Sequence, residues 1–90
     1  MAQTKVEKLS ENKLKEMGVF NWPIWEKEAS TFDWSYGSTE KCYIIKGKVE
    51  VTEENGEKVE FGAGDFVTFP KGLNCTWHII EDVKKHYNFE

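Results

Sequence analysis

The 90-residue sequence contains no arginine, and its twelve lysines are outnumbered by sixteen acidic residues, which gives a net charge of −4. Its longest run of basic side chains is Lys84-Lys85. A surface that binds nucleic acid needs clustered basic side chains to neutralise the phosphates. The composition therefore argues against a nucleic-acid partner.

Long apolar runs and cysteines are also scarce. No apolar stretch approaches the roughly 18 residues of a membrane-spanning helix, and the polar start MAQTKVEKLSENK has no signal-peptide core. We therefore expect a cytoplasmic protein with no membrane partner. The two cysteines are Cys42 and Cys75, and cytoplasmic thiols are normally reduced. A reversible Cys42–Cys75 disulfide stays open as an alternative.

Aromatic residues are plentiful, at 14% of the chain, and such side chains bury the most apolar area per residue. Ninety residues allow one domain, residues 1–90. A chain of this size buries only about 60–65% of its unfolded surface, so its stability is marginal unless something is added. The small size and the proline-containing aromatic segment 22–25 together predict a homodimer.

The hydrophobic pattern divides the chain near residue 25. Residues 1–25 predict an N-terminal arm and a short helix over residues 10–17, with Ser10 as its N-cap and Gly18 as its C-cap. From residue 26 the apolar period is two, and turn signals separate short strands. This pattern predicts an all-β sandwich or barrel over residues 26–90. The Asn55-Gly56 pair predicts a type I′ hairpin turn, and residues 83–89 predict a separate last strand.

In one stretch Glu40 is followed by six residues and then Gly47, and a second stretch contains Gly64, Pro70 and Gly72. These two stretches resemble the two motifs of the cupin superfamily. The resemblance covers about residues 32–80 and implies a cupin jelly-roll barrel, a double-stranded β-helix. The whole chain looks most like small stand-alone cupins of the (S)-ureidoglycine aminohydrolase cupin-domain family. The segments that suggest this are Trp22-Pro23-Ile24-Trp25, Phe32-Asp33-Trp34, Cys42-Tyr43 and Val83-Lys84-Lys85-His86-Tyr87.

The cupin resemblance implies a divalent metal held by three histidines and one glutamate, but this chain departs from that set. Trp34 and Tyr36 stand at the two histidine positions of the first motif, and Cys75 stands at that of the second. Of the four ligands, Glu40 alone is kept. We therefore predict no metal cofactor. The alternative that stays open is a divalent ion at an atypical site made of Glu40, Cys75 and water.

Strand pleating predicts that six side chains share one interior: Trp34, Tyr36, Glu40, Cys42, Cys75 and Trp77. Each aromatic residue alone is more often barrel core. As a set beside the carboxylate of Glu40, they predict a ligand-binding pocket for a small molecule. Lys84, Lys85 and His86 are predicted to form a solvated edge, where lysines discourage sheet-to-sheet pairing.

Two functions fit this pocket. The favoured one is a binding module that holds a small polar or aromatic metabolite without the three-histidine metal site. The alternative is an enzyme of ureidoglycine aminohydrolase-like or isomerase type, with Glu40, Tyr36 and Cys75 as catalytic residues. A reactive Cys75 needs a nearby base, and His78 on the same strand points to the opposite face. An inert buried thiol is therefore the favoured interpretation of Cys75, and of Cys42.

Overall fold

The computed structural model describes residues 3–90, so the first two residues of the predicted N-terminal arm lie outside the described residues. Within residues 3–90 the chain forms one short helix, one 3-10 turn and seven strands. In chain order these are β1 (Lys5–Glu7), α1 (Glu11–Met17), the 3-10 turn (Val19–Asn21), β2 (Ile24–Lys27), β3 (Ser30–Ser35), β4 (Glu40–Glu53), β5 (Lys58–Gly62), β6 (Phe66–Phe69) and β7 (Asn74–Phe89).

Helix α1 begins and ends as its capping residues predict. The Ser10 hydroxyl accepts a hydrogen bond from the amide of Lys13 at 3.1 Å. Gly18 ends the helix with φ of 76°, in the left-handed conformation that glycine adopts without strain. Its buried residue Leu14 packs with Val19 and Phe66 in a small cluster on the outside of the sheet. The helix therefore covers one outer face of β6.

The strands form one antiparallel sheet built on the two long strands β4 and β7, which pair with each other along most of their length. The strand order is β1-β6-β4-β7-β2, with β3 also paired to β7 and β5 also paired to β4. Each long strand thus changes its second partner along its length, which curls the sheet into a barrel. The predicted all-β barrel is confirmed. Strand β2 pairs with β7 at the end of this order, as Pro23 before it favours.

Strand β7 runs unbroken from Asn74 to Phe89, so the separate last strand predicted over residues 83–89 is wrong. The pairing of β7 with β4 continues through this region by means of register shifts in β4 on either side of Gly47. Gly47 has φ of 106°, and a Cβ atom there would lie 2.5 Å from the carbonyl oxygen of Asp82. A glycine is required at this point because the backbone of β7 passes directly over it.

The hairpin between β4 and β5 forms where Asn55-Gly56 predicts it, but its turn is not type I′. A type I′ turn needs positive φ at both central residues, and within residues 3–90 every positive φ belongs to a glycine. Gly56 has φ of 90°, while the Asn55 side chain accepts a hydrogen bond from the amide of Glu57. The amide of Glu53 donates to the carbonyl of Glu57 at 2.8 Å, which closes a three-residue loop.

The carboxylate of Glu53, at the end of β4, is almost completely buried. It accepts hydrogen bonds from the amides of Gln3 at 2.9 Å and Thr4 at 2.7 Å. Burial alone would raise the pKa of Glu53, but hydrogen bonds from Thr4 and Gln3 outweigh it and lower the pKa. This anion holds the N-terminal arm against the barrel.

The main core fills the barrel with inward-facing residues of β4 to β7, together with Tyr36 and Leu73 from the connecting segments. Its largest fully buried side chains include Trp77, Phe69 and Ile44. Adjacent residues of β6 show how the two faces divide: Phe66 belongs to the cluster under α1, and Val67 belongs to the barrel core. Both faces of β6 are therefore covered.

The helices of residues 3–90 are α1 and the 3-10 turn, and neither has the length and apolar character that a membrane-crossing helix requires.

Candidate functional site

A cavity of about 190 Å³ lies between the end of β3, the start of β4 and the inner face of β7. Seven of its nine lining residues are aromatic, and the other two are a carboxylate and an ammonium group. The lining consists of Trp25, Phe32, Trp34, Tyr36, Glu40, Trp77, Lys85, Tyr87 and Phe89. An ion pair therefore stands in a wall that is otherwise made of rings.

The ion pair joins Lys85 of β7 to Glu40 of β4, with the Lys85 Nζ 2.8 Å from Glu40 Oε2. Both side chains are buried, at 6% and 4% exposed. In the sheet Glu40 stands opposite Phe89 and Ile44 stands opposite Lys85. The two charged residues therefore share the inner face and meet diagonally along it. A charge-assisted hydrogen bond at this distance is among the strong ones in proteins.

Lys85 corrects the prediction of a solvated edge at residues 84–86. Lys84 faces outward and is 40% exposed, in line with that prediction. Lys85 points into the barrel because it has the same odd-numbered parity as Trp77 on β7. His86 points outward but is buried by the N-terminal segment, with its Nδ1 2.9 Å from the carbonyl oxygen of Trp22.

Two indole rings flank the ammonium group. The Lys85 Nζ lies 4.9 Å from the ring centroid of Trp25 and 4.7 Å from that of Trp77. At these distances the negative ring faces attract the cation. Within residues 3–90, the side chains of Glu40 and Lys85 form a hydrogen bond with each other and with no other protein group. The remaining Nζ hydrogens and the second carboxylate oxygen are therefore available to a bound molecule.

Tyr36 adds a hydroxyl to the same wall. Its oxygen accepts a hydrogen bond from the Trp77 indole at 3.2 Å, and its ring stacks on Phe69 at 4.9 Å. Burial and, to a lesser extent, the negative charge of Glu40 raise the pKa of Tyr36 above its ordinary value. The phenol therefore stays protonated, and because its oxygen already accepts from Trp77, its proton is left to donate.

Trp34 stands at the mouth of the cavity and is 47% exposed. Its ring meets Tyr36 edge to face, at 6.4 Å between centroids. Deeper in the cavity, Phe32 stacks on Trp77 at 6.0 Å with an interplanar angle of 17°. The site thus runs from an exposed indole to the buried ring of Trp77, and a lining of aromatic side chains with a few polar groups is typical of small-molecule pockets.

The two thiols lie behind this wall. Cys42 and Cys75 are buried and free, and neither belongs to the cavity lining in the described chain. Burial, with a smaller contribution from Glu40 that Lys85 opposes, raises the pKa of Cys42 to about 12. The Cys75 thiol donates to the carbonyl oxygen of Trp34 at 3.7 Å, and burial followed by the charge of Glu53 raises its pKa to about 11. Both thiols are therefore protonated and weakly nucleophilic near neutral pH.

The structure brings four of the six predicted ligand-binding residues to one cavity, namely Trp34, Tyr36, Glu40 and Trp77, and leaves out Cys42 and Cys75. Of the three predicted catalytic residues, Glu40 and Tyr36 line the cavity and Cys75 does not. The sequence prediction missed the remaining five lining residues. Three of these, Lys85, Tyr87 and Phe89, share the odd parity of Trp77 on β7, so following the alternation to the end of the strand identifies them.

The residues here do not fit the divalent metal that the cupin resemblance implies. At the four corresponding positions Glu40 alone is the residue that the cupin set uses, and its carboxylate is already bound to the ammonium of Lys85. Residues 3–90 contain no group of three or more His, Cys, Asp or Glu side chains that could hold a metal ion. The cation that pairs with Glu40 is the ammonium group of Lys85, and the described residues lack the donor set of a transition-metal site.

Comparisons with known proteins extend this picture. A family model described as "EutQ-like cupin domain" matches residues 14–87. A crystal structure of a DUF861-family protein from Thermotoga maritima is 57% identical, with a TM-score of 0.95, and the alignment covers 97% of this chain and 99% of that one. The EutQ protein of Clostridium difficile is 26% identical, with a TM-score of 0.67 over 73% of this chain and 52% of that one.

A more distant structure shows the fold alone. An RmlC-like cupin from Shewanella frigidimarina is 12% identical, with a TM-score of 0.56, over 73% of this chain and 64% of that one. No curated protein matches the sequence. The chain spans about half the length of the EutQ protein that it resembles. The predicted cupin jelly roll is confirmed.

Proposed function

This chain belongs to the family of EutQ-like cupin domains, and because a fold by itself does not determine an activity, we propose a function from the chemistry of the cavity. The protein binds a small, planar, uncharged molecule that carries both hydrogen-bond donors and acceptors. The observation that carries this proposal is the Glu40–Lys85 ion pair in the wall of an aromatic cavity.

The size and shape of the cavity support a ligand of one ring or less. A volume of about 190 Å³ is close to that of an engineered apolar cavity, about 150 Å³, that holds benzene. Seven aromatic side chains in the lining offer faces and edges for a flat molecule to stack against. A bulky or strongly curved ligand would not use these surfaces.

The charges of the cavity support an uncharged ligand. Lys85 and Glu40 neutralise each other at 2.8 Å, and the other lining residues are neutral aromatic side chains. A ligand that carries a net charge would lose its hydration on entering and would find no unpaired opposite charge among the described lining residues. A neutral polar group can instead bond to both members of the pair.

The hydrogen-bonding groups narrow the ligand class further. Lys85 and Tyr36 offer donors, and Glu40 offers an acceptor. A carboxamide, a ureido group or a lactam presents a carbonyl acceptor and an N–H donor in one plane, which matches both kinds of partner. A ligand that leaves either kind unpaired would bind less well, because a buried polar group without a partner is costly.

Benzamide is a suitable probe, because it combines one ring with one carboxamide. We expect a titration followed by ¹H–¹⁵N correlation spectra to shift the indole signals of Trp25, Trp34 and Trp77. The fourth indole, Trp22, packs against Phe66 on the outside of the sheet, 6.3 Å between centroids, and serves as the internal control. Its signal should stay in place.

Benzoate and benzamidine have nearly the same shape as benzamide but carry opposite charges, so they test the argument from neutrality. Each should bind at least about tenfold more weakly than benzamide, a difference of roughly 1.4 kcal/mol. Binding of benzoate or benzamidine as tightly as benzamide would refute the charge argument. An unchanged spectrum with all three probes would refute the proposed function.

An enzyme of ureidoglycine aminohydrolase type is the second candidate. The observation that favours it is the presence of Tyr36, Glu40 and Lys85 around one cavity, since a ureido group is one of the planar neutral groups that they suit. Cys75 takes no part in this version, because it does not line the cavity. Release of ammonia from ureidoglycine by purified protein, faster than in buffer alone and lost in Glu40→Gln, is the test, and a rate no higher than that in buffer would exclude it.

We also propose that the protein works in the cytoplasm and as a homodimer. Both thiols are free, as is usual in a reducing compartment. Phe20 and Ile24 are 43% and 50% exposed beside the edge strand β2, and a second copy that covered them would add apolar burial to a small domain.

A further inference from the structure

We propose that Lys85 captures small aldehydes as a Schiff base inside the cavity, with Glu40 as the group that moves the protons. The proposal rests on the proposed binding site but goes beyond it, since it adds a covalent step and a different class of ligand. It is carried by the juxtaposition of a buried primary amine, a carboxylate at 2.8 Å and an aromatic cavity of one-ring size.

Lys85 differs from the other lysines in its burial. Residues 3–90 contain all twelve lysines of the chain, and of these Lys85 is the buried one, at 5% exposed. Its Nζ stands in a wall that a small molecule can reach. Primary amines in apolar pockets are the groups that enzymes use to form Schiff bases with carbonyl compounds. Burial and access to a cavity therefore single out this amine.

Glu40 gives the amine a route to its reactive form. The ammonium passes a proton to Glu40 across their hydrogen bond, and the free lone pair attacks the carbonyl carbon to form the nitrogen–carbon bond. The carbonyl π electrons move to oxygen, which takes this proton from Glu40. Glu40 then removes a second proton from nitrogen and delivers it to the same oxygen, which leaves as water. The product is an iminium ion beside an ionised Glu40.

The atoms and charges of this step balance within the site. An ammonium and an aldehyde become an iminium and one water molecule, so no proton enters or leaves overall. The buried pair holds one positive and one negative charge before and after the reaction, and no charge becomes unpaired in the apolar wall. The iminium nitrogen keeps the place of Nζ between the rings of Trp25 and Trp77, where a cation is attracted.

The cavity selects an aldehyde on a single flat ring. Imine formation places the carbonyl substituent in the same space that the seven aromatic side chains line. A planar substituent stacks there and stays conjugated with the iminium. Holding the carbonyl against the amine in this way raises its effective concentration over that at an exposed lysine.

The test uses benzaldehyde with sodium cyanoborohydride, which reduces the iminium to a stable benzyl amine. Purified full-length protein is treated with one equivalent of benzaldehyde, and intact mass and peptide mapping locate the label. We expect labelling of Lys85 at least about tenfold above that of any other lysine, because this amine has a positioned proton acceptor and a binding pocket.

Two variants separate chemistry from folding. Lys85→Arg keeps the positive charge opposite Glu40 but cannot form a Schiff base, so its preferential label should disappear while its fold remains. Lys84→Met removes the outward-facing neighbour, which is 40% exposed, and should label at Lys85 like the parent protein. A label that survives at the cavity in Lys85→Arg would overturn the proposal.

Benzamide binding, measured in the same samples, distinguishes this proposal from the one before it. Bound benzamide together with labelling spread evenly over the lysines would overturn Schiff-base capture and leave the binding function intact. Loss of both benzamide binding and Lys85 labelling would overturn both. Labelling concentrated on Lys85 and absent from Lys85→Arg would support the covalent site.

Discussion

Breaking the buried ion pair tests whether Glu40 and Lys85 depend on each other. Replacing Lys85 with Met removes the cation and leaves the carboxylate of Glu40, 4% exposed, facing aromatic rings. Loss of one member of a buried pair costs about 3–5 kcal/mol. Because both side chains line a cavity that solvent can enter, we expect the lower end, about 3 kcal/mol. A domain of this size holds roughly 5–13 kcal/mol in total, so the variant should still fold.

The complete cycle also includes Glu40→Met and the double variant Glu40→Met, Lys85→Met. Each single variant should lower the free energy of unfolding by about 3 kcal/mol, or the melting temperature by about 12–24 °C. The double variant should return to within about 1 kcal/mol of the parent protein, because replacing a buried pair with apolar side chains removes both desolvation costs. Urea unfolding followed by tryptophan fluorescence measures all four proteins.

Lys84→Met is the matched control for this cycle. Lys84 neighbours Lys85 in sequence but faces outward, 3.9 Å from the exposed carboxylate of Glu26. Its replacement should change the free energy of unfolding by no more than about 0.5 kcal/mol. A loss below about 1 kcal/mol for Lys85→Met, or a double variant as unstable as the two single losses combined, would show that the pair is solvated and would refute the reasoning.

Three further outcomes follow from other parts of the structure. Gly47→Ala should lower the free energy of unfolding by about 2–5 kcal/mol, because it combines a left-handed φ with a clash against β7. Gly56→Ala is the control: its new Cβ meets nothing within 4 Å, so it should lower the free energy of unfolding by only about 1–2 kcal/mol. Equal losses for the two variants in urea unfolding would contradict the close approach of β7 to Gly47. The pKa of Cys42 is about 12 in the folded protein and about 8.5 in the unfolded chain. The unfolded chain therefore loses this proton first as pH rises. The free energy of unfolding should fall above about pH 8.5, by up to about 1.4 kcal/mol per pH unit. Unfolding titrations from pH 8 to 10 should show a shallower slope in Cys42→Ala, and parallel slopes would count against a buried neutral thiol. Sedimentation at micromolar concentration should find a dimer that Ile24→Lys dissociates, and a monomeric parent protein would disprove the homodimer.

Local chemistry was enough to predict the elements and their faces. Ser10 and Gly18 mark the two ends of the helix. The Ser10 side chain satisfies a free backbone amide at the start, and the left-handed backbone of Gly18 satisfies free carbonyl groups at the end. Strand alternation identified Trp34, Tyr36 and Trp77 as neighbours in one interior because pleating sends every second side chain to the same face. These signals act over a few residues, so they can be read without knowledge of the rest of the fold.

The hairpin and the last strand show where local signals are insufficient. Asn55-Gly56 marks a turn, but loop length and register decide which turn forms, and these depend on the pairing of β4 with β5. Likewise, β7 passes unbroken through residues 81–83 because Gly47 on β4 leaves room for its backbone. The information that decides each of these features lies on another strand.

The sequence by itself determined that this protein is a small all-β barrel whose interior carries Glu40 among aromatic rings. Tertiary structure alone decided that Lys85 completes the site. The parity of Lys85 is local, but its burial depends on Trp25 of the edge strand β2 and on the register that sets β7 against the start of β4. A lysine is stable there only because a carboxylate from a strand 45 residues away neutralises it at 2.8 Å, and such a pairing is a property of the folded chain.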